Sequence, residues 1–215
     1  MKVLHADSAL LVLEKPGGLL SVPGRGADKQ DCVSALVQAR FPDALIVHRL
    51  DMATSGLMLM ARGSTAQRTL GEAFAGRSIT KRYCAIVSGT LAPPPDEWGV
   101  IDLPIIVDWP NRPRRMIDPT AGKPSVTRWR LMARDGQPNG RPDASTRVLL
   151  EPVTGRSHQL RVHLAAIGHP ILGDALYAPQ PVQALASRLL LHACSLNLDH
   201  PATGEPLQFN STIPF

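Results

Sequence analysis

LIVHRLDMATSGLMLMA, residues 45–61, decides how this chain is organised. Two apolar runs, Leu45 to Leu50 and Leu57 to Ala61, read as buried strands. Between them Asp51-Met52-Ala53-Thr54-Ser55-Gly56 forms a polar connection, so a carboxylate stands on a turn between two core strands. Working outward, Ala9 to Leu13 is another buried strand, stopped by Lys15-Pro16-Gly17-Gly18. Cys32 to Phe41 carries the spacing of a short helix, and Ser64 reads as the N-cap of a helix reaching Gly76. Arg82 to Val87 and Arg147 to Val153 are strands. Ser157 is placed to cap a helix with Leu160, Leu164 and Ile167 on one stripe, ended by Gly168 and Pro170. Arg188 to Leu198 becomes strand-like towards its end. Strands come in runs and helices are few. That pattern predicts an α+β fold with a largely antiparallel sheet, because a doubly wound parallel sheet needs regular strand–helix alternation.

Bulk properties narrow the functional classes. At 215 residues, with 44% hydrophobic and 19% charged residues, the chain is expected to form one domain with a packed core. A net charge of +5 and a pI near 9.5 suit an anionic partner. Cys32, Cys84 and Cys194 are odd in number and far apart, which argues against a disulfide framework or a zinc ribbon and fits a reducing cytoplasm. The N-terminus lacks a signal-peptide layout, and no apolar run approaches the ~20 residues of a membrane span. Neither GxGxxG nor GxxxxGK[ST] occurs, and there is no GxSxG elbow.

Four constellations carry chemistry. Asp51 follows His48-Arg49-Leu50; read alone it is most simply a turn residue, but the same position holds a carboxylate rigidly at the lip of a cleft. In Gly155-Arg156-Ser157-His158-Gln159-Leu160-Arg161-Val162-His163, the cations Arg156, His158 and Arg161 gather near a helix start. There they oppose the macrodipole, so they read either as a solvated basic turn or as the seat of an anionic partner, carboxylate or phosphate. His158 and His163 are five apart, a poor spacing for a shared metal. Tyr83 alternates to the strand face opposite Arg82, either towards a cleft or into the core. From Asp108 to Arg134 the chain is basic: Arg112, Arg114, Arg115, Lys123, Arg128, Arg130 and Arg134 stand against Asp108 and Asp118, with Trp109 and Trp129 interleaved. Such a stretch is either a solvated hairpin face or an RNA contact.

Together these segments resemble the RluA family of pseudouridine synthases. HRLDMATSG (48–56) is similar to its catalytic-aspartate motif and GRSHQLRVH (155–163) to its second diagnostic segment. EKPGGL (14–19), HPILGD (169–174) and LLHA (190–193) follow in the family's order. DWPNRP (108–113) with Gly122-Lys123-Pro124 resembles the members with dual specificity for 23S ribosomal RNA and transfer RNA. The synthase motifs begin within the first twenty residues, so no N-terminal S4 domain is expected, and 1–215 reads as a single catalytic domain.

The resemblance implies an α+β catalytic domain with a central mixed, mainly antiparallel sheet, flanking helices and an active-site cleft, and isomerisation of uridine to pseudouridine with no metal or organic cofactor. It implies that Asp51 is the essential aspartate, Arg161 the arginine paired with it, and Tyr83 the ring packed on the target base. Arg49 enters the RNA where the uridine leaves, and Leu160 lines the pocket. His48, Arg156, His158 and Gln159 are expected substrate neighbours. Trp109, Arg112, Arg114, Arg115 and Lys123 are expected RNA contacts. The partners expected are stem-loops of 23S rRNA and tRNA, met by a cytoplasmic monomer with no membrane association. A non-catalytic RNA-binding protein, or an RNA N-glycosidase using Asp51, would share parts of this pattern.

Overall fold

The computed structural model describes residues 1–26, 29–94, 96–133 and 145–215. In chain order the elements are β1 (Lys2–Ala6), β2 (Leu10–Lys15), α1 (Val33–Gln38), β3 (Ala44–Ile46), β4 (Ser55–Arg62), α2 (Gly63–Ala75) and β5 (Thr80–Ser88). There follow β6 (Gly99–Asp102), β7 (Ile105–Val107), β8 (Arg115–Ile117), β9 (Val126–Ala133) and β10 (Ser145–Pro152). The chain closes with α3 (Gln159–Ala166), α4 (Gln180–Gln183), β11 (Leu191–Asp199) and β12 (Pro206–Asn210). The fold is α+β. Two compact units divide the chain: Met1–Lys81 with His192–Pro214, and Arg82–Leu191 with Phe215.

In the first unit β4 is the organising strand. It pairs antiparallel with β2 and β3, and β2 with β1. β11 runs parallel to its start and antiparallel to β12. β2 and β4 are buried on both sides, which is why Leu10 to Leu13 and Leu57 to Ala61 are unbroken apolar runs rather than alternating ones. Leu10, Val12, Leu57, Leu59 and Ala61 form one face of a core closed by Ala66 and Leu70 of α2 and by Leu196 and Leu198 of β11. Each leucine buried there contributes roughly 1.5–3 kcal/mol.

The second unit carries the antiparallel order β5-β10-β9-β6, with β7 and β8 as a separate two-stranded ribbon. Helix α3 is tied to one face of this sheet through Thr127, which meets both Gln159 and His163. On the opposite face Arg82, Arg128 and Glu151 pair across the strands. Among the described residues no helix is long and apolar enough to cross a membrane.

Four local expectations are corrected. The strand expected over Leu45 to Leu50 ends at Ile46, because the chain leaves the ladder to carry His48 and Asp51 into a loop. Ser64 is not the cap of α2; Arg62 occupies that position in extended backbone and no side chain caps the helix. Nor does Ser157 cap α3, whose N-cap is His158 in the left-handed region at φ 58°. The expected helix over Cys32 to Phe41 is shorter, Val33–Gln38.

Gly56 marks where the start of β4 lies against β11. Its φ is +111°, and a Cβ there would stand 2.2 Å from the Ala193 carbonyl oxygen. Neither the left-handed backbone nor the approach of two main chains tolerates a side chain. Gly56→Ala is expected to lower unfolding stability by about 3 kcal/mol or more, measured by urea denaturation; a loss below about 1 kcal/mol would mean that the strands separate at little cost.

Candidate active site

Asp51 sits at the head of a loop fixed by its main chain. Just before it, Ser21 Oγ donates to the Leu50 carbonyl at 2.7 Å and accepts the Leu50 N–H at 3.1 Å. The Thr54 N–H returns to the Asp51 carbonyl at 3.1 Å, closing a tight turn. Just after it, the Met52 carbonyl accepts the Gly18 N–H at 2.8 Å and the Lys15 ammonium at 2.9 Å. Lys15 is fully buried, and its Nζ also donates to the carbonyls of Pro16 (2.9 Å) and Leu19 (2.8 Å). A buried ammonium is tolerable when carbonyl oxygens replace its water. Leu50 is buried and Met52 exposed, so the half-buried Asp51 stands where the loop emerges. Arg49, two residues earlier, is exposed.

His48 holds the same loop from the strand side. Its Nε2 accepts the Leu59 N–H at 2.8 Å, and its ring lies 4.7 Å from that of Phe74. Burial, reinforced by the Lys81 ammonium, pushes its pKa down to about 3. The ring therefore stays neutral and its Nε2 stays an acceptor. The expectation that His48 contacts substrate is revised: that nitrogen serves the backbone of β4. Below β4 runs a further chain of polar contacts. Ser55 Oγ meets His192 Nδ1 at 2.8 Å, His192 Nε2 meets Ser211 Oγ at 2.9 Å, and Ser211 donates to Glu14.

Tyr83, Arg156, His158, Gln159, Leu160 and Arg161 belong to the second unit. Tyr83 is opposite Leu150 in the β5–β10 ladder, while its neighbour Arg82 reaches Glu151 on the other face, as the alternation predicts. Arg161 is 4% exposed and is held by Asp174 through two bonds, Nε to Oδ2 at 2.8 Å and Nη2 to Oδ1 at 2.6 Å. This fork-to-fork geometry is what makes a buried ion pair of this kind tolerable. Asp174 Oδ1 also accepts the N–H groups of Leu176 and Tyr177. The Arg161 guanidinium lies 5.1 Å from the Tyr177 ring centroid, and His158 Nδ1 is 2.7 Å from the Tyr177 hydroxyl.

Of the cations expected to gather at the start of α3, His158 and Arg161 meet at Tyr177, whereas Arg156 turns to the Pro124 carbonyl. Gln159 is corrected: its oxygen accepts from Thr154 and Arg156, and its nitrogen donates to Val126 and Thr127. That occupies the whole amide and leaves nothing for a substrate. Leu160 is buried.

The basic stretch is split by the fold. The turn between β7 and β8 is pinned by Asp108, whose carboxylate accepts from the Asn111 side chain. Its tip presents Trp109, 65% exposed, with the Arg112 guanidinium 4.9 Å from the indole. Arg114 is exposed and lies 5.6 Å from the Tyr177 ring, and the Arg115 N–H donates to the Tyr177 hydroxyl at 2.8 Å. Lys123 is exposed. Arg128 and Arg130 instead stack beside Trp98 and pair with Glu151 and Glu97. Arg134 lies outside the described residues.

The profile of the family described as RNA pseudouridylate synthase matches residues 9–166. The chain belongs to the RNA pseudouridylate synthase family. It is 49% identical over 215 residues to the Dual-specificity RNA pseudouridine synthase RluA of Yersinia pestis, covering all of both chains. Against the protein of that name from Haemophilus influenzae the identity is 44%, covering 100% of this chain and 94% of the other. The solved structure of Human RNA Pseudouridylate Synthase Domain Containing 1 aligns with a TM-score of 0.79 at 28% identity, over 100% of this chain and 84% of that one. The chain is accordingly an isomerase that converts uridine in RNA to pseudouridine.

Sequence reasoning gave no site role to Lys15, Asp174 or Tyr177, although Lys15 and Asp174 lie in the segments EKPGGL and HPILGD. The signal for Lys15 was present, since a lysine closing a run of buried residues demands an acceptor set. Asp174 closes the family segment HPILGD, whereas Tyr177 left only the spacing of an Asx turn.

Two outcomes are expected. Lys15→Met, close in volume but without the ammonium, strands the Pro16 and Leu19 carbonyls, leaves that of Met52 only the Gly18 N–H, and should cost about 3 kcal/mol or more in denaturant unfolding. A near-neutral result would mean that water replaces the ammonium. For His48 the unfolded chain takes up a proton near pH 6.5 while the folded one resists down to about 3. Stability is therefore lost as pH falls through that window, by up to about 1.4 kcal/mol per pH unit. His48→Gln keeps an acceptor that does not titrate, so its stability curve should be flatter from pH 6 to 4. Parallel curves would refute the burial of a neutral imidazole.

Proposed function

We propose that this synthase acts on uridines in loops of both 23S rRNA and tRNA, with Asp51 as its catalytic carboxylate. The observation that carries the assignment is the bracing of Asp51 from both neighbours: Ser21 holds Leu50, while Gly18 and Lys15 hold Met52. A carboxylate whose main chain is this well fixed meets a reacting carbon without reorganising. Support for two RNA classes comes from the bacterial relatives, which are named dual-specificity RNA pseudouridine synthases.

The reaction breaks N1–C1′, turns the uracil, and joins C5 to C1′. The proton lost from C5 is matched by one gained at N1, so no reductant, metal or organic cofactor is called for. A stacked uridine cannot be reached in this way, and extruding it costs a few kcal/mol, least in a loop. Arg49, exposed and two residues from Asp51, is suited to fill the vacated stack. Asp51 acts ionised, either by adding to C1′ or by removing a sugar proton. Tyr83 offers the detached uracil a flat face, Leu160 an apolar wall, and Arg161 a fixed cation. Trp109 stacks on an unpaired base, while Arg112, Arg114, Arg115 and Lys123 meet phosphates. The protein works as a cytoplasmic monomer, and residues 1–215 serve the one reaction.

Purified Asp51→Asn, incubated with RNA tritiated at uridine C5, should release no tritium yet retain RNA binding, because only C5 substitution displaces the label. Tritium release at the parent rate would remove Asp51 from the mechanism. Free uracil from the parent protein would identify a glycosidase instead.

A further inference from the structure

The turn after α3 ends in a tyrosine that touches both ends of the second unit's basic machinery. Gly173 anchors that turn: its φ is +73°, and a Cβ would stand 1.9 Å from the Arg188 carbonyl oxygen. Asp174, 1% exposed, then fixes the Tyr177 main chain while it grips Arg161. The Tyr177 side chain reaches the other way. Its hydroxyl accepts the Arg115 N–H at the start of β8 and meets His158 Nδ1. Its ring has the Arg161 guanidinium at 5.1 Å and that of Arg114 at 5.6 Å. One side chain thus contacts the β7–β8 ribbon, the left-handed N-cap of α3, and the buried arginine.

We propose that Tyr177 is a positioning residue that couples the β7–β8 ribbon to Arg161, so that an RNA loop seated on the Trp109–Arg112 tip sets the pose of Arg161. The inference rests on the proposed roles of Arg161 and the ribbon in the RNA reaction. Its physical basis is the geometry of the link. The Arg115 N–H bonds the Tyr177 hydroxyl, so a displacement of β8 that keeps the bond moves the ring. Two guanidiniums lie near that ring, where their attraction falls off over a few ångströms. His158 shares the hydroxyl and sits at φ 58°, a backbone region that a non-glycine residue occupies at a cost and leaves when its support is lost. A ribbon that served only to add phosphate contacts would need no bond to this hydroxyl.

The test is a double-mutant cycle on single-turnover rates at saturating enzyme, with a tRNA stem-loop as substrate. Trp109→Ala removes the exposed tip, and Tyr177→Phe removes the hydroxyl while keeping the ring. Coupled residues fail to add. Each single variant is expected to slow conversion about tenfold, and the double variant about tenfold as well, not a hundredfold. RNA affinity should fall for Trp109→Ala and stay within about twofold of the parent for Tyr177→Phe. Multiplying effects, or a parent-like rate for either single variant, would overturn the coupling. If Tyr177→Phe melts below the assay temperature, His158→Asn replaces it in the same cycle, since asparagine tolerates the left-handed region. An active Asp51→Asn would break the proposed site itself; an inactive one beside a multiplicative cycle would break only this inference.

Discussion

The Lys15 ammonium, buried with the carbonyls of Pro16, Leu19 and Met52 around it, sets the condition on which the loop of Asp51 depends. A cation taken out of water must be given oxygens in fixed positions. Here those oxygens belong to two segments, the turn that ends β2 and the loop that leads into β4. Satisfying the ammonium therefore welds the two together. Ser21 adds a second weld at Leu50, and the neutral His48 a third, at Leu59. These welds fix the main chain on either side of Asp51, and its own carbonyl closes the turn by accepting the Thr54 N–H.

The second unit solves a related problem with opposite charges. Arg161 is nearly as buried as Lys15, but its counter-group is a carboxylate, Asp174, matched to the guanidinium in a two-point grip. Such a pair is costly to break because either survivor would be left charged and dry. The same Asp174 oxygen that holds Arg161 accepts two main-chain N–H groups. Placement of the arginine and placement of Tyr177 are consequently one event. The basic ribbon meets Tyr177 through the main-chain N–H of Arg115.

Much of the fold was legible because it is written in local pattern. β2 and β4 appear as continuous apolar runs since both their faces are covered, and Tyr83 and Arg82 part company by strand alternation alone. Misreadings occurred where a local rule met a tertiary demand. The run from Leu45 to Leu50 looks like a strand throughout, yet beyond Ile46 its main chain is drawn towards Ser21 and its His48 towards β4. Ser157 has the right chemistry for a cap, but His158 takes the N-cap position as its ring meets Tyr177. Gln159 sits inside a diagnostic segment and looks like a substrate group, whereas its amide is wholly engaged in joining α3 to β9.

The sequence alone determined the family, the strand-rich α+β class, the aspartate on its loop, and the basic ribbon with its tryptophan. The aspartate and the basic stretch are each read from residues near one another, and the family and the class from several such local segments taken in order along the chain. Only the tertiary structure decided the assignments of Lys15, His48, Gln159, Asp174 and Tyr177. Lys15 meets Met52 across 37 positions and Tyr177 meets Arg115 across 62. Contacts at that separation are set by strand register and by the need to satisfy buried polar groups, which no local period records.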